Sequence, residues 1–209
     1  MRDGHHIADA DRHVVEPIEM WREHLPPVLR EHAPYHAAIV AAEPLSARVA
    51  RLGSRALLSP PPFPMLAGRP LYNNMSERAW LELGSSAHGR ARQLHGIETP
   101  EAHLREMDRE GIDVAVLFPT YALLILGRDD LGPELALGFA RAYNAWLRGF
   151  CARDPARLRG VALACPQAPD EMAAELSAAM TLGTAAVVLR PNPVGGRRPG
   201  WGEIGRAHV

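Results

Sequence analysis

The second half of the chain repeats one pattern, in which a short apolar run stops at or just before a proline and an amphipathic segment follows. Apolar runs of this kind suit strands that are buried on both faces, as in parallel sheets. Because strands and helices alternate, the pattern predicts right-handed βαβ units in an α/β fold. With one more run near the N-terminus, the predicted strands are Ile7–Val15, Ile112–Phe118, Val161–Cys165 and Ala185–Leu189.

Helix signals fill the intervals between the later strands. Thr99 is an N-cap candidate, Pro100 suits the first helical position, and Gly111 fits the residue beyond the helix end. Apolar residues at three- and four-residue intervals predict a second helix from Pro133 and a third over Pro169–Leu182. From Glu16 to about Pro100, prolines and glycines predict an irregular stretch with short helices at Ile18–His24 and Leu45–Leu52. Four strands are about half of the eight that a complete β/α barrel contains.

Asp11 and His13 carry the clearest chemical signal. Residues two apart in a strand point to the same side, so a carboxylate and an imidazole would project together. Both are ligands of first-row metals, and β/α barrels place their chemistry at this end of a strand. From the motif alone, a helix-capping Asp and a structural core His are an equally good interpretation. Asp9 is expected to order the strand rather than to bind metal.

The segment Asp9–His13 resembles the first-strand metal motif of the amidohydrolase superfamily, whose usual form is Asp-x-His-x-His. It is most similar to the amidohydrolase-related branch that includes aminocarboxymuconate-semialdehyde decarboxylase-like enzymes, with Asp11 at the first His position. Three later segments strengthen the resemblance, which spans roughly residues 7 to 199: Met107–Thr120, Asp154–Ala162 and Val188–Pro193.

The resemblance implies a fold and a chemistry. The fold is the N-terminal half of a TIM-like (β/α)8 barrel, with a long insertion at residues 16–100 that covers the substrate site. The chemistry is metal-dependent hydrolysis of a C–N or C–O bond, or non-oxidative decarboxylation of a small carboxylic acid. Asp11 and His13 would bind a divalent cation, zinc before manganese. The other ligands and the catalytic residues would come from the fifth to eighth strands, and the intact protein is expected to form a homo-oligomer.

Three further residues are candidates for substrate binding: Glu16, Arg190 and Asn192. Arg190 and Asn192 follow the fourth predicted strand, on the expected catalytic face. Arg190 would either hold a substrate carboxylate with two hydrogen bonds or pair with a neighbouring acid. Glu16 would either contact substrate or stabilise the loop after the first strand.

Composition narrows the partners to small molecules. The chain has 23 basic and 24 acidic residues without a basic stripe, which argues against nucleic acid. It has no apolar run of the ~20 residues that cross a bilayer and no signal peptide, so a cytoplasmic protein is expected. Its two cysteines are too few for a disulfide framework.

The C-terminus and the length suggest a partial domain. Glu203–Val209 matches the translation of a common sequencing adapter, so residues 203–209 are expected to be foreign and residues 1–202 to form a partial barrel. A half-barrel exposes sheet edges, so an inactive, self-associating fragment is one alternative. A nucleotide-binding βαβ domain is another, but it requires Gly-x-Gly-x-x-Gly after the first strand, where this chain has Asp11–Glu16.

Overall fold

The computed structural model describes residues 4–37, 63–71, 99–181 and 184–194, together with residues 47, 50 and 196. The described helices are α1 (Ile18–His24), α2 (Pro100–Glu110), α3 (Tyr121–Leu126), α4 (Pro133–Cys151) and α5 (Pro169–Thr181), with a 3₁₀ helix at Pro27–His32. The described strands are β1 (Ala8–His13), β2 (Tyr35–Ala37), β3 (Phe63–Leu66), β4 (Arg69–Pro70), β5 (Val114–Phe118), β6 (Leu158–Leu163) and β7 (Ala186–Val188). The chain divides into two compact units, Met1–Ala33 with Ile97–Val209, and Pro34–Gly96.

The first unit contains a parallel four-stranded sheet in the order β1-β5-β6-β7. Each strand follows the one before it in the unit, as in successive βα repeats of a barrel. The predicted α/β class with four parallel strands is confirmed. In a doubly wound nucleotide-binding sheet the first strand lies inside the sheet. Here β1 has a neighbour on one side only among the described strands, which disagrees with that alternative.

Local signals place α2 as predicted. The Thr99 side chain accepts a hydrogen bond from the N–H of Ala102 at 3.3 Å, and Pro100 begins the helix. Gly111 ends it with φ +74°, a conformation that a residue with a Cβ adopts only at a cost. The following strand β5 therefore starts in the register that brings it beside β1.

The core of the first unit lies between the sheet and α4. Phe139 and Tyr143 of α4 are buried, and the Tyr143 hydroxyl donates to the carbonyl of Val161 in β6 at 3.3 Å. Trp21 of α1 packs edge-on against Phe139, with ring centroids 5.7 Å apart. The helix predicted at Ile18–His24 is therefore confirmed and forms part of this core.

The second unit differs from the irregular stretch that its prolines and glycines predicted. Its described residues form an antiparallel sheet in the order β2-β3-β4. Ala67 and Gly68 make the turn from β3 to β4, with φ of +50° and +73°. Strands this short contain too few residues for an alternating pattern to be detected, so the sequence did not predict this sheet. The helix predicted at Leu45–Leu52 lies outside the described residues except at 47 and 50, and so does the tail at residues 203–209.

Across the part of the chain that the structure describes, none of the helices combines the length and the apolar character that crossing a bilayer requires.

Candidate active site at the carboxyl edge of the sheet

Strand β1 carries a bulge just before its end. From Asp9 to Arg12 it advances three residues, while its partner β5 advances two, from Ala115 to Leu117. The extra residue puts Asp9 and Arg12 on one face, where strict alternation would separate them. Their side chains form an ion pair with 3.3 Å between Asp9 Oδ2 and Arg12 Nη1.

Asp11 and His13 point away from that ion pair and lie together. Asp11 Oδ1 is 3.8 Å from His13 Nε2, and the two side chains are 83% and 48% exposed. This is the juxtaposition that their spacing predicted. Their role as metal ligands stays a prediction.

The His13 ring is oriented by the segment that follows β5. Its Nδ1 lies 2.9 Å from the carbonyl oxygen of Pro119 and 3.3 Å from the hydroxyl oxygen of Thr120. A carbonyl oxygen can only accept, so we assign the proton to Nδ1. In the neutral ring, Nε2 then keeps its lone pair and faces Asp11.

Glu16 is buried against the first residues of α3. Its carboxylate accepts hydrogen bonds from the N–H groups of Thr120, Tyr121 and Ala122, at 3.2, 2.8 and 3.2 Å. These are amides at the start of a helix, which have no partner within it and favour a negative charge. Burial has the larger effect and raises the pKa of Glu16 to about 7. In this geometry Glu16 stabilises the loop, and substrate contact stays a prediction.

Arg190 lies at the other end of α3. Its guanidinium donates to the carbonyl of Leu126 at 3.2 Å and pairs with Asp129 at 2.9 Å. Gln167, which follows β6, donates to the same carbonyl at 3.0 Å. Of the two roles considered for Arg190, the structure shows pairing with an acid.

Asn192 is exposed beyond β7. Within the described residues, neither Arg190 nor Asn192 forms a hydrogen bond to Asp11 or His13. The structure therefore places these candidates at the same edge of the sheet without joining them in one cluster. The sequence analysis did not identify Gln167 as a support of α3. Its position just after a predicted strand is the signal that could have indicated it.

One comparison with known proteins decides the family. A family model described as amidohydrolase matches residues 8–203. The chain belongs to the amidohydrolase family. A search of curated proteins gave no significant match.

Solved structures of two other proteins share the fold of this chain. An amidohydrolase from Mycobacterium avium subsp. paratuberculosis K-10 aligns with a TM-score of 0.67 and 16% identity, over 98% of this chain and 55% of that one. The 5-carboxyvanillate decarboxylase from Novosphingobium aromaticivorans DSM 12444, solved with manganese and a nitrobenzoic acid, aligns with a TM-score of 0.53 and 19% identity. That match covers 99% of this chain and 48% of the decarboxylase. The chain thus spans about half the length of these structures.

Asp11 and His13 fit part of a divalent-cation site. They offer one oxygen and one nitrogen donor at the edge where parallel α/β enzymes bind ligands. Searching only the described residues reveals no group of three or more His, Cys, Asp or Glu side chains that could hold a metal ion. Two such side chains are fewer than the three protein ligands of a catalytic zinc site.

Proposed function

We propose that this amidohydrolase-family chain contributes two ligands, Asp11 and His13, to a divalent-metal site in an enzyme. The enzyme would hydrolyse a C–N or C–O bond, or remove CO₂ non-oxidatively from a small carboxylic acid. The observation that carries the proposal is the Nδ1 contact of His13 with Pro119, which leaves Nε2 beside Asp11. Metal-binding histidines are commonly oriented in this way by a backbone carbonyl on the other ring nitrogen.

The donor set limits the choice of metal. One carboxylate and one imidazole suit zinc, and they also accept manganese, the metal present in the N. aromaticivorans decarboxylase structure. When bound, the cation would act as a Lewis acid toward a substrate oxygen. The proposal requires further donors from outside the described residues.

The remaining candidates would bind or support the substrate. Exposed Asn192 can donate or accept hydrogen bonds at the open edge. Arg190 would hold a substrate carboxylate after exchanging it for Asp129, since both are anions that match its guanidinium. Glu16 would act from behind, by holding the start of α3 in place. A small carboxylic acid is therefore the substrate class we propose.

Manganese binding tests the two ligands. We expect Mn²⁺ to bind weakly to the chain through these two ligands, as read by loss of the free-ion electron paramagnetic resonance signal at high chain concentration. Asp11→Asn and His13→Gln should each weaken binding by about tenfold or more, because each removes a ligand.

Glu31 and His32 supply a matched control. They form a similar exposed pair, with 3.7 Å between Glu31 Oε1 and His32 Nε2 and exposures of 80% and 49%. Glu31→Gln and His32→Gln should leave Mn²⁺ affinity unchanged. Unaltered affinity in both Asp11→Asn and His13→Gln would overturn the ligand assignment.

A further inference from the structure

We infer that Arg12 is a positioning residue for the Asp11–His13 pair, because it fixes the bulge that turns these two side chains toward the carboxyl edge. What the pair binds rests on the proposed function. How the pair is aimed does not, since it follows from contacts in the chain itself.

The Arg12 side chain runs opposite to those of its two neighbours in the sequence. It is 16% exposed, and Nη1 contacts Asp9 Oδ2 at 3.3 Å and Glu110 Oε2 at 2.9 Å. Its Nε donates to His103 Nδ1 at 3.2 Å. Arg12 therefore joins β1 to the first turn of α2, through His103, and to its last residue, Glu110.

Asp9 connects this network to the backbone of the bulge. Its Oδ2 pairs with Arg12, while its Oδ1 accepts a hydrogen bond from the N–H of Asp11 at 3.2 Å. One carboxylate thus holds both the guanidinium and the backbone at the extra residue. Bulges near active sites re-aim side chains in this way.

His103 gives the network a rigid anchor. It is 3% exposed and packs edge-on against Phe150 of α4, with ring centroids 5.5 Å apart. A guanidinium only donates, so Nδ1 of His103 is the acceptor. The position of Arg12 is therefore set by the core on the helical side of β1, which a surface ion pair alone would not do.

Arg157 offers a control that separates aiming from general stability. It also ties α2 to the sheet, through an ion pair to Asp108 at 2.7 Å and a hydrogen bond to the carbonyl of Ile112 at 2.9 Å. These contacts lie at the amino end of the strands, away from Asp11 and His13. Arg157→Ala should destabilise the fold without disturbing the pair.

The direct readout is the tautomer of His13 in the metal-free chain. Labelling the histidines with ¹⁵N, and assigning His13 by its loss in His13→Gln, gives the chemical shifts of both ring nitrogens. Where the imidazole is neutral, the unsubstituted chain should carry the proton on Nδ1 rather than on Nε2. Arg12→Ala should give averaged shifts, because the ring no longer keeps its contact with Pro119.

Mn²⁺ affinity is the second readout. Arg12→Ala should weaken binding by about tenfold or more, as losses of supporting residues around metal ligands do. Arg12→Lys should restore part of the His13 tautomer preference and part of the Mn²⁺ affinity. It keeps the positive charge of Arg12 but not the several donors of the guanidinium. Glu110→Gln is the second variant, for use if Arg12→Ala does not fold. It removes the charge of one partner of Arg12, and it should shift the His13 tautomer in the same direction as Arg12→Ala.

The outcomes divide clearly. Wild-type nitrogen shifts in the folded Arg12 variants, or equal changes in Arg12→Ala and Arg157→Ala, would overturn the positioning role. If Asp11→Asn and His13→Gln leave Mn²⁺ affinity unaltered, the ligand assignment in the proposed function fails, and the ring-nitrogen shifts still decide the role of Arg12.

Discussion

Glu16 is a buried side chain on which two physical effects act in opposite directions. Three helix-end amides favour its charged form, while the loss of water disfavours it. Desolvation has the larger effect, and the pKa rises from 4.5 to about 7. The first turn of α3 is therefore held by a group that changes charge near neutral pH.

This raised pKa predicts a pH-dependent stability. Between about pH 5 and pH 8 the unfolded carboxyl has released its proton before the folded one does, so stability falls as pH rises. The shift from 4.5 to about 7 corresponds to on the order of 3 kcal/mol. In Glu16→Gln the unfolding free energy should no longer decrease as pH rises. Urea titrations across the pH range measure this difference. Parallel pH profiles for the two proteins would contradict the prediction.

The same residues show what a sequence can and cannot predict at this scale. Asp11 and His13 are two positions apart, so strand geometry alone predicted their juxtaposition. The partners of Glu16 lie more than 100 residues away. Arg190 contacts Leu126, in a helix that was not predicted, and Asp129 just beyond that helix. Contacts between residues so far apart in the sequence depend on how the helices and strands pack, and a local sequence pattern does not predict them.

Strand β6 and helix α4 meet at a glycine. A Cβ on Gly160 would lie 2.7 Å from Leu147 Cδ2 and 3.2 Å from Cys151 Sγ, both in α4. Gly149 in the same helix has no atom within 4 Å of such a Cβ. Close packing of α4 on the sheet therefore depends on residue 160 and not on residue 149.

The two glycines make a matched pair of substitutions. Gly160→Ala should destabilise the fold by about 1–3 kcal/mol, because Leu147 must leave its rotamer. Gly149→Ala should stabilise it by about 0.5–1 kcal/mol through helix propensity. Denaturant unfolding of both variants measures the difference, and a neutral or stabilising Gly160→Ala would show that α4 can move.

Helices α2 and α3 explain why some elements are predictable. The start and end of α2 are marked by its own residues, Thr99, Pro100 and Gly111. The apolar segment Tyr121–Leu126 has no side-chain cap of its own, since Glu16 supplies the acceptor. The bulge in β1 was missed for a similar reason, because Asp9 and Arg12 fit an ordinary strand pattern until their partners are known.

At the scale of the whole molecule, the parallel sheet has two strands with a single described neighbour, β1 and β7. Val187 in β7 is 36% exposed. Open strand edges with apolar residues favour pairing between chains, and lysine disfavours it. The chain is therefore expected to self-associate through its sheet.

A charge on β7 tests this expectation. Val187→Lys should lower the average mass measured by light scattering after size-exclusion chromatography. Val28→Lys is the control, since Val28 is 74% exposed and belongs to the 3₁₀ helix rather than to a strand. A monomeric unsubstituted chain, or an equal effect of both substitutions, would argue against edge pairing.

Helix α3 has a consequence for the size of any ligand at this edge. Glu16 holds its first amides, and Gln167 and Arg190 hold its last carbonyl, so it cannot slide in either direction without losing a hydrogen bond. Its six residues span about 9 Å. The distance between the loop after β1 and the loop after β7 is therefore set by the length of α3. Lengthening α3 by one turn would be the direct way to admit a larger molecule.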